Sequence, residues 1–146
     1  MAEPRTAAAG RYLAIDHGRR RIGVAVGDRE TGLAFARPAI RTRSVAAAAD
    51  AVAALARAEG AICVIIGLPL HEDGSEGTQA AAARGFGSSL VERGLEVVFH
   101  DERLTTWQAA GELASERRQP DRRSGELDSR AARLILQDYL DSKEDR

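Results

Sequence analysis

Residues 12–28 read Tyr-Leu-Ala-Ile-Asp-His-Gly-Arg-Arg-Arg-Ile-Gly-Val-Ala-Val-Gly-Asp. Leu13 and Ile15 alternate with Tyr12 and Ala14, and Ile22, Val24 and Val26 alternate again after a Gly-Arg-Arg-Arg turn. Period-two patterning of this kind predicts two strands joined as a β-hairpin. The first strand ends on a carboxylate, Asp16, and Gly18 gives the backbone freedom to turn close beside it. Arg19, Arg20 and Arg21 follow within reach of any phosphate brought to that turn. A carboxylate on a rigid strand beside such a turn suits holding a divalent cation against a phosphate. Asp-x-Gly is also a common sequence in ordinary polar turns, so the remainder of the chain has to decide.

Upstream, residues 1–10 read as a flexible tail, and a single domain is expected over 11–141 with a charged end at 142–146. Downstream, residues 31–41 predict a third antiparallel strand with Gly32 in its turn, and Pro38 suits an edge strand. Ser44 is placed to cap a helix over 45–59 that Gly60 stops. Residues 61–67 are apolar on both faces, the mark of an interior strand covered on both sides. After Pro69 and a loop to Gly77, a helix is expected over 78–93, weakened by Gly85 and Gly87. Leu95, Val97 and Phe99 alternate as a fifth strand. Thr105 with Gln108 opens a helix to Arg118, residues 119–125 read as a mobile loop, and a last helix spans 127–140. The order βββ-α-β-α-β-α-α predicts an α/β fold, a mixed sheet with helices on both faces.

At 146 residues and net charge −1, the chain suits one domain and carries no global basic field. Lys143 is the only lysine, so the positive charge is nearly all arginine, and it is clustered. The single cysteine, Cys63, lies in an apolar run and reads as core, and one cysteine excludes an internal disulfide framework. There is no secretory signal and no apolar run long enough to span a membrane, which predicts a cytoplasmic protein without a membrane partner. The histidines lack zinc-ligand spacing, with His17 reading as structural and His71 and His100 undecided.

Three acidic positions are candidates for one site. Asp16 ends the first strand, Asp101 and Glu102 follow the last strand, and Asp128 opens the last helix. Strand ends on one side of a mixed sheet are neighbours, and ligands gather there. Positions 128, 132, 135 and 139 form one helical stripe of Asp, Ala, Ile and Tyr, so the Asp128 carboxylate continues a core-facing stripe. A carboxylate in that setting needs a partner, and a cation is one; helix-dipole stabilisation in a first turn is the plainer alternative. Adjacent strand residues face opposite ways, so only one of Asp101 and Glu102 can join the others. Glu102 is preferred, with Asp101 as alternate and Arg103 as a partner for whichever remains. Arg19, Arg20, Arg21, Arg103, Arg122 and Arg123, together with Arg41 and Arg43, are candidate phosphate contacts. The loop Gly67–Gly77 could border a nucleic-acid groove or be a solvated connection.

With these pieces assembled, the chain resembles the YqgF family, also called RuvX. These are pre-16S ribosomal RNA nucleases and Holliday-junction-resolvase-like proteins of the ribonuclease H-like superfamily. The carriers are Asp16-His-Gly with Arg21-Ile-Gly-Val-Ala-Val-Gly-Asp28, and Gly67-Leu-Pro-Leu with Asp73-Gly-Ser-Glu-Gly77. Further along they are Asp101-Glu-Arg-Leu-Thr-Thr106, and Leu127-Asp-Ser with Ala131-Ala and Leu134-Ile-Leu-Gln-Asp-Tyr-Leu140. Many members have lysine at the position of Arg20, serine at Gly27 and asparagine at His71, departures that leave the acids intact. The resemblance implies a ribonuclease H-like fold with three antiparallel and two parallel strands. It implies Asp16, the acid of Asp101-Glu102, and Asp128 as catalytic ligands of Mg²⁺ or Mn²⁺ for phosphodiester hydrolysis. It also implies RNA as first substrate, in 5′-end processing of pre-16S rRNA on ribosomal precursor particles. The alternatives are a dimeric Holliday junction resolvase acting on branched DNA and a non-catalytic nucleic-acid-binding assembly factor. Sugar kinases and actin-like ATPases share the Asp-x-Gly hairpin but need a second lobe for which this chain is too short.

Overall fold

A computed structural model describes residues 10–101 and 126–144 of the chain, the side chains of 126–128 and 143–144 excepted. Its strands are β1 (Arg11–His17), β2 (Arg21–Asp28), β3 (Leu33–Arg41), β4 (Ala61–Leu68) and β5 (Val97–Asp101). Its helices are α1 (Val45–Glu59), α2 (Thr78–Glu92) and α3 (Glu126–Glu144). One five-stranded sheet has the order β3-β2-β1-β4-β5. The pairs β1–β2 and β2–β3 are antiparallel, while β1–β4 and β4–β5 are parallel.

Strand alternation sorts the core into two layers. Leu13, Ile15, Val24, Val64 and Ile66 face α1 and α2, packing on Ala48, Val52, Phe86 and Leu90. Tyr12, Ala14, Ala25 and Ile65 face the other way, onto Ala132, Ile135, Leu136 and Leu140 of α3. The mixed sheet with helices on both faces follows the sequence pattern, because a two-sided apolar strand such as β4 is stable only when both faces are covered.

Local signals explain the element ends. Ser44 Oγ accepts from Ala47 N at 3.0 Å, and Gly60 closes α1 in the left-handed region at φ 71°. Gly32 turns β2 into β3 at φ 70°, and Pro38 lies on the edge strand as expected. Two boundaries differ from the sequence pattern. Strand β5 starts at Val97 rather than Leu95, because Leu95 N still bonds Leu90 O and Gly94 has φ 86°, so both belong to the turn that ends α2. Helix α3 continues past Leu140 to Glu144, where Gln137 Nε2 bonds Asp141 Oδ1 at 3.1 Å and Ser142 Oγ bonds Asp138 O at 2.9 Å. The helix expected over 105–118 and the loop over 119–125 lie outside the described residues.

Gly27 lets three elements meet. A Cβ there would lie 2.5 Å from Leu33 O, 3.0 Å from Ala34 Cα and 3.2 Å from Leu136 Cδ2. No side chain fits between β2, β3 and α3 unless backbone moves.

Candidate active site

Parallel pairing brings the C-terminal ends of β1, β4 and β5 to one side of the sheet. Ile15 pairs with Ile66, Gly67 with His100 and Leu68 with Asp101, so Asp16 stands level with Gly67 and His100. Asp16 has the parity of Tyr12 and Ala14, which places it on the face covered by α3. It is half-buried. His17 has the opposite parity and stacks on Phe86 of α2 at 4.9 Å between ring centroids. Burial in that contact lowers the His17 pKa, and the ring is structural, as the alternation implied.

Gly18 serves by smallness rather than by an unusual dihedral. Its φ is not positive, but a Cβ there would lie 2.5 Å from Arg21 O, the carbonyl that accepts from Gly18 N at 3.1 Å. The expectation of special backbone freedom is thus replaced by a steric requirement in the same place.

A gap in the sheet positions α3. Ile22 pairs with Ile40 and Val24 with Arg37, so Gly23 alone opposes Pro38 and Ala39, a β-bulge on the edge strand. Pro38 has no N–H to donate to the ladder. The Ser129 hydroxyl sits at this irregularity, accepting from Val24 N at 3.3 Å and donating to Arg37 O at 2.7 Å. Ser129 is only 5% exposed. Further along α3, Gln137 Oε1 accepts from Ala34 N at 3.1 Å and its Nε2 donates to Gly32 O at 2.7 Å. Two polar side chains thereby fix the helix to β3 and the β2–β3 turn. Gly23 is the cross-strand partner of Asp16, so the first turn of α3 is held at the Asp16 end of the hairpin. The backbone of Asp128 lies in that turn, one residue before Ser129.

Asp101, paired with Leu68, has the parity of Phe99 and belongs to the face opposite Asp16. Glu102, Arg103, Arg122 and Arg123 lie outside the described residues, and only the backbone of Asp128 is described. Among the described residues, no three metal-ligating side chains converge. Asp16 offers hard carboxylate oxygens, a donor type that suits Mg²⁺ or Mn²⁺.

The other candidates resolve individually. His100 Nε2 bonds Asp138 Oδ2 of α3 at 2.7 Å. His71 covers Gly77, whose Cβ would lie 2.6 Å from His71 Nε2. The Gly67–Gly77 loop and the start of α2 border an open cleft of about 350 Å³ lined by Pro69, His71, Thr78 and Gln79. Cys63 is buried in the α3-side core. Arg19 and Arg20 are exposed at the β1–β2 turn, next to half-buried Arg21. Sequence reasoning missed Ser129 and Gln137, whose roles depend on backbone groups of another element.

The RuvX family profile, described as Holliday junction resolvase, matches residues 10–142. A protein of Opitutus terrae named "Putative pre-16S rRNA nuclease" is 39% identical over 91% of this chain and 92% of its own length. A protein of Mesorhizobium japonicum with the same name is 41% identical over 94% of this chain and 84% of its own. Among solved structures, T. thermophilus RuvC in complex with Holliday junction substrate superposes with a TM-score of 0.59. It is 14% identical, over 93% of this chain and 96% of that one. The likeness extends the ribonuclease H-like description to this fold. With sheet order, helix placement and sequence in agreement, the chain belongs to the RuvX family.

Proposed function

We propose that this protein is a divalent-metal-dependent nuclease that hydrolyses phosphodiester bonds in RNA, acting in 5′-end processing of pre-16S rRNA in the cytoplasm. The observation that carries the reading is Asp16. It stands one residue before the end of β1, at the shared end of the parallel strands, on the face where Ser129 anchors the first turn of α3. Asp16, Glu102 and Asp128 are assigned as the metal-holding catalytic acids. Glu102 is preferred to Asp101 because Asp101 has the parity of the opposite face. When bound, Mg²⁺ or Mn²⁺ supplies Lewis acidity at the phosphodiester and activates the attacking water. The chain's own part is to hold the acids on rigid elements and to place the backbone through arginines Arg19, Arg20 and Arg21, with Arg103, Arg122 and Arg123 as further contacts.

RNA stands first because the curated relatives carry a ribosomal RNA nuclease name. Junction resolution is the second reading, favoured by the family description and by the fold likeness to RuvC. Two coordinated cuts on a four-way junction require two sites and so a two-fold dimer. A panel of labelled structured RNA, single-stranded RNA and four-way DNA junction, each with Mn²⁺, Mg²⁺ or EDTA, separates these readings. Metal-dependent cutting of RNA is expected. Cutting of the junction alone by a dimer would replace RNA processing with resolution, and binding of every substrate without cutting would make the protein an assembly factor.

A further inference from the structure

We infer that Arg41 and Arg43, at the β3–α1 junction, join the β1–β2 turn in one phosphate-binding ridge for a polynucleotide backbone flanking the cut. The inference rests on the nuclease reading of the Asp16 site and extends its substrate contact across two further strands.

Register brings the ridge together. Arg21 pairs with Arg41 directly across the β2–β3 ladder. Arg20 O accepts from Thr42 N at 2.7 Å, so the turn and the junction are tied by backbone. Arg21 lies two residues from Gly23, the cross-strand partner of Asp16, and therefore shares the face of Asp16; Arg41, its direct partner, shares it too.

Exposed positive charge is concentrated there. Like charges directly opposite one another in a sheet are destabilising. Arg19, Arg20, Arg41 and Arg43 are all exposed, and none forms an ion pair with a described residue. Elsewhere four described arginines find carboxylates. Arg11 and Arg37 share Glu59 at 3.1 and 3.5 Å, Arg84 binds Glu76 at 2.6 Å, and Arg93 binds Asp50 at 2.8 Å. Those four arginines are thus neutralised, whereas Arg19, Arg20, Arg41 and Arg43 pair with no carboxylate among the described residues.

Spacing selects the ligand class. Neighbouring strands lie about 4.8 Å apart, so β3 stands roughly 10 Å from β1. That exceeds the reach of a single phosphate group held at Asp16. A mononucleotide would leave Arg41 and Arg43 without an anion, whereas a continuous strand presents further phosphates along the ridge. Guanidinium contacts to phosphate position the strand without reading bases, so the ridge favours length over sequence.

The test uses the full chain carrying Asp16→Asn, so that RNA is bound and not consumed. Affinity for a labelled single-stranded RNA is measured from 50 to 200 mM salt, with and without Arg41→Gln and Arg43→Gln together. Loss of two phosphate contacts is expected to lower the slope of log affinity against log salt by about 1.4. The control pair Arg84→Gln and Arg93→Gln is expected to leave the slope unchanged. With Asp16 restored, the Arg41/Arg43 variant is expected to lose kcat/KM on long RNA but not on bis(p-nitrophenyl) phosphate, which has no flanking backbone. An unchanged slope, or an equal drop in the control pair, overturns the ridge. Absence of cutting by the otherwise wild-type chain, with the slope difference intact, overturns the nuclease reading and leaves the ridge as a binding surface.

Discussion

At the residue scale, the position of Asp16 was legible and the supports around it were not. Asp16 announces itself by ending an alternating run before a glycine turn, whereas Ser129 reads as an ordinary polar helix position. Only the gap between Gly23 and Pro38–Ala39 shows why a hydroxyl is needed there. Ser129→Ala leaves Val24 N–H and Arg37 C=O without that partner in a buried site, so it is expected to cost about 1–3 kcal/mol. Urea unfolding would show a lower midpoint at unchanged m; a change within about 0.5 kcal/mol would remove the bridge from the account. His17 supplies a pH test. Its ordinary value of 6.5 is lowered by burial against Phe86, so the unfolded chain takes up the proton first as pH falls. Its contribution is complete above the ordinary value and declines as pH drops toward the folded one. The urea midpoint of wild type is expected to fall between pH 7.5 and 5.5 more than that of His17→Phe, and parallel profiles would contradict this.

At the element scale, period-two runs, the Ser44 cap and the Gly60 stop predicted the strands and α1 closely, because those signals are local. The ends of β5 and α3 were misjudged because they depend on contacts that periodicity does not encode. Leu95 is alternating and apolar but is claimed by the turn after α2. Asp141 and Ser142 look like a solvated tail but extend α3 through side-chain bonds one turn back. The meeting of β2, β3 and α3 at Gly27 gives the sharpest element-scale prediction. Gly27→Ala forces Leu33 and Ala34 backbone to shift, an overpacking expected to cost about 1–3 kcal/mol. Thermal unfolding would report it, and an unchanged midpoint would mean that β3 has slack at that point.

At the scale of the whole molecule, the two ends of the sheet differ in charge economy. At the far end, Glu59 neutralises Arg11 and ties α1 to the start of β1, and it also pairs with Arg37 of β3. The Asp16 end keeps exposed arginines without described carboxylate partners beside a half-buried carboxylate, the arrangement that a polyanion and a cation together would complete. No helix among the described residues is long and apolar enough to cross a membrane. The central claim is that Asp16 and Asp128 act as one metal-dependent cleaving site, and cleavage of labelled RNA by single variants tests it most directly. Asp16→Asn and Asp128→Asn are each expected to lose at least about a hundredfold in Mn²⁺-dependent rate with the fold intact, since even residues behind a ligand cost 10- to 100-fold. Asp101→Asn is expected to stay near wild type. Retained cutting in either of the first two variants, or loss confined to Asp101→Asn, would contradict the account.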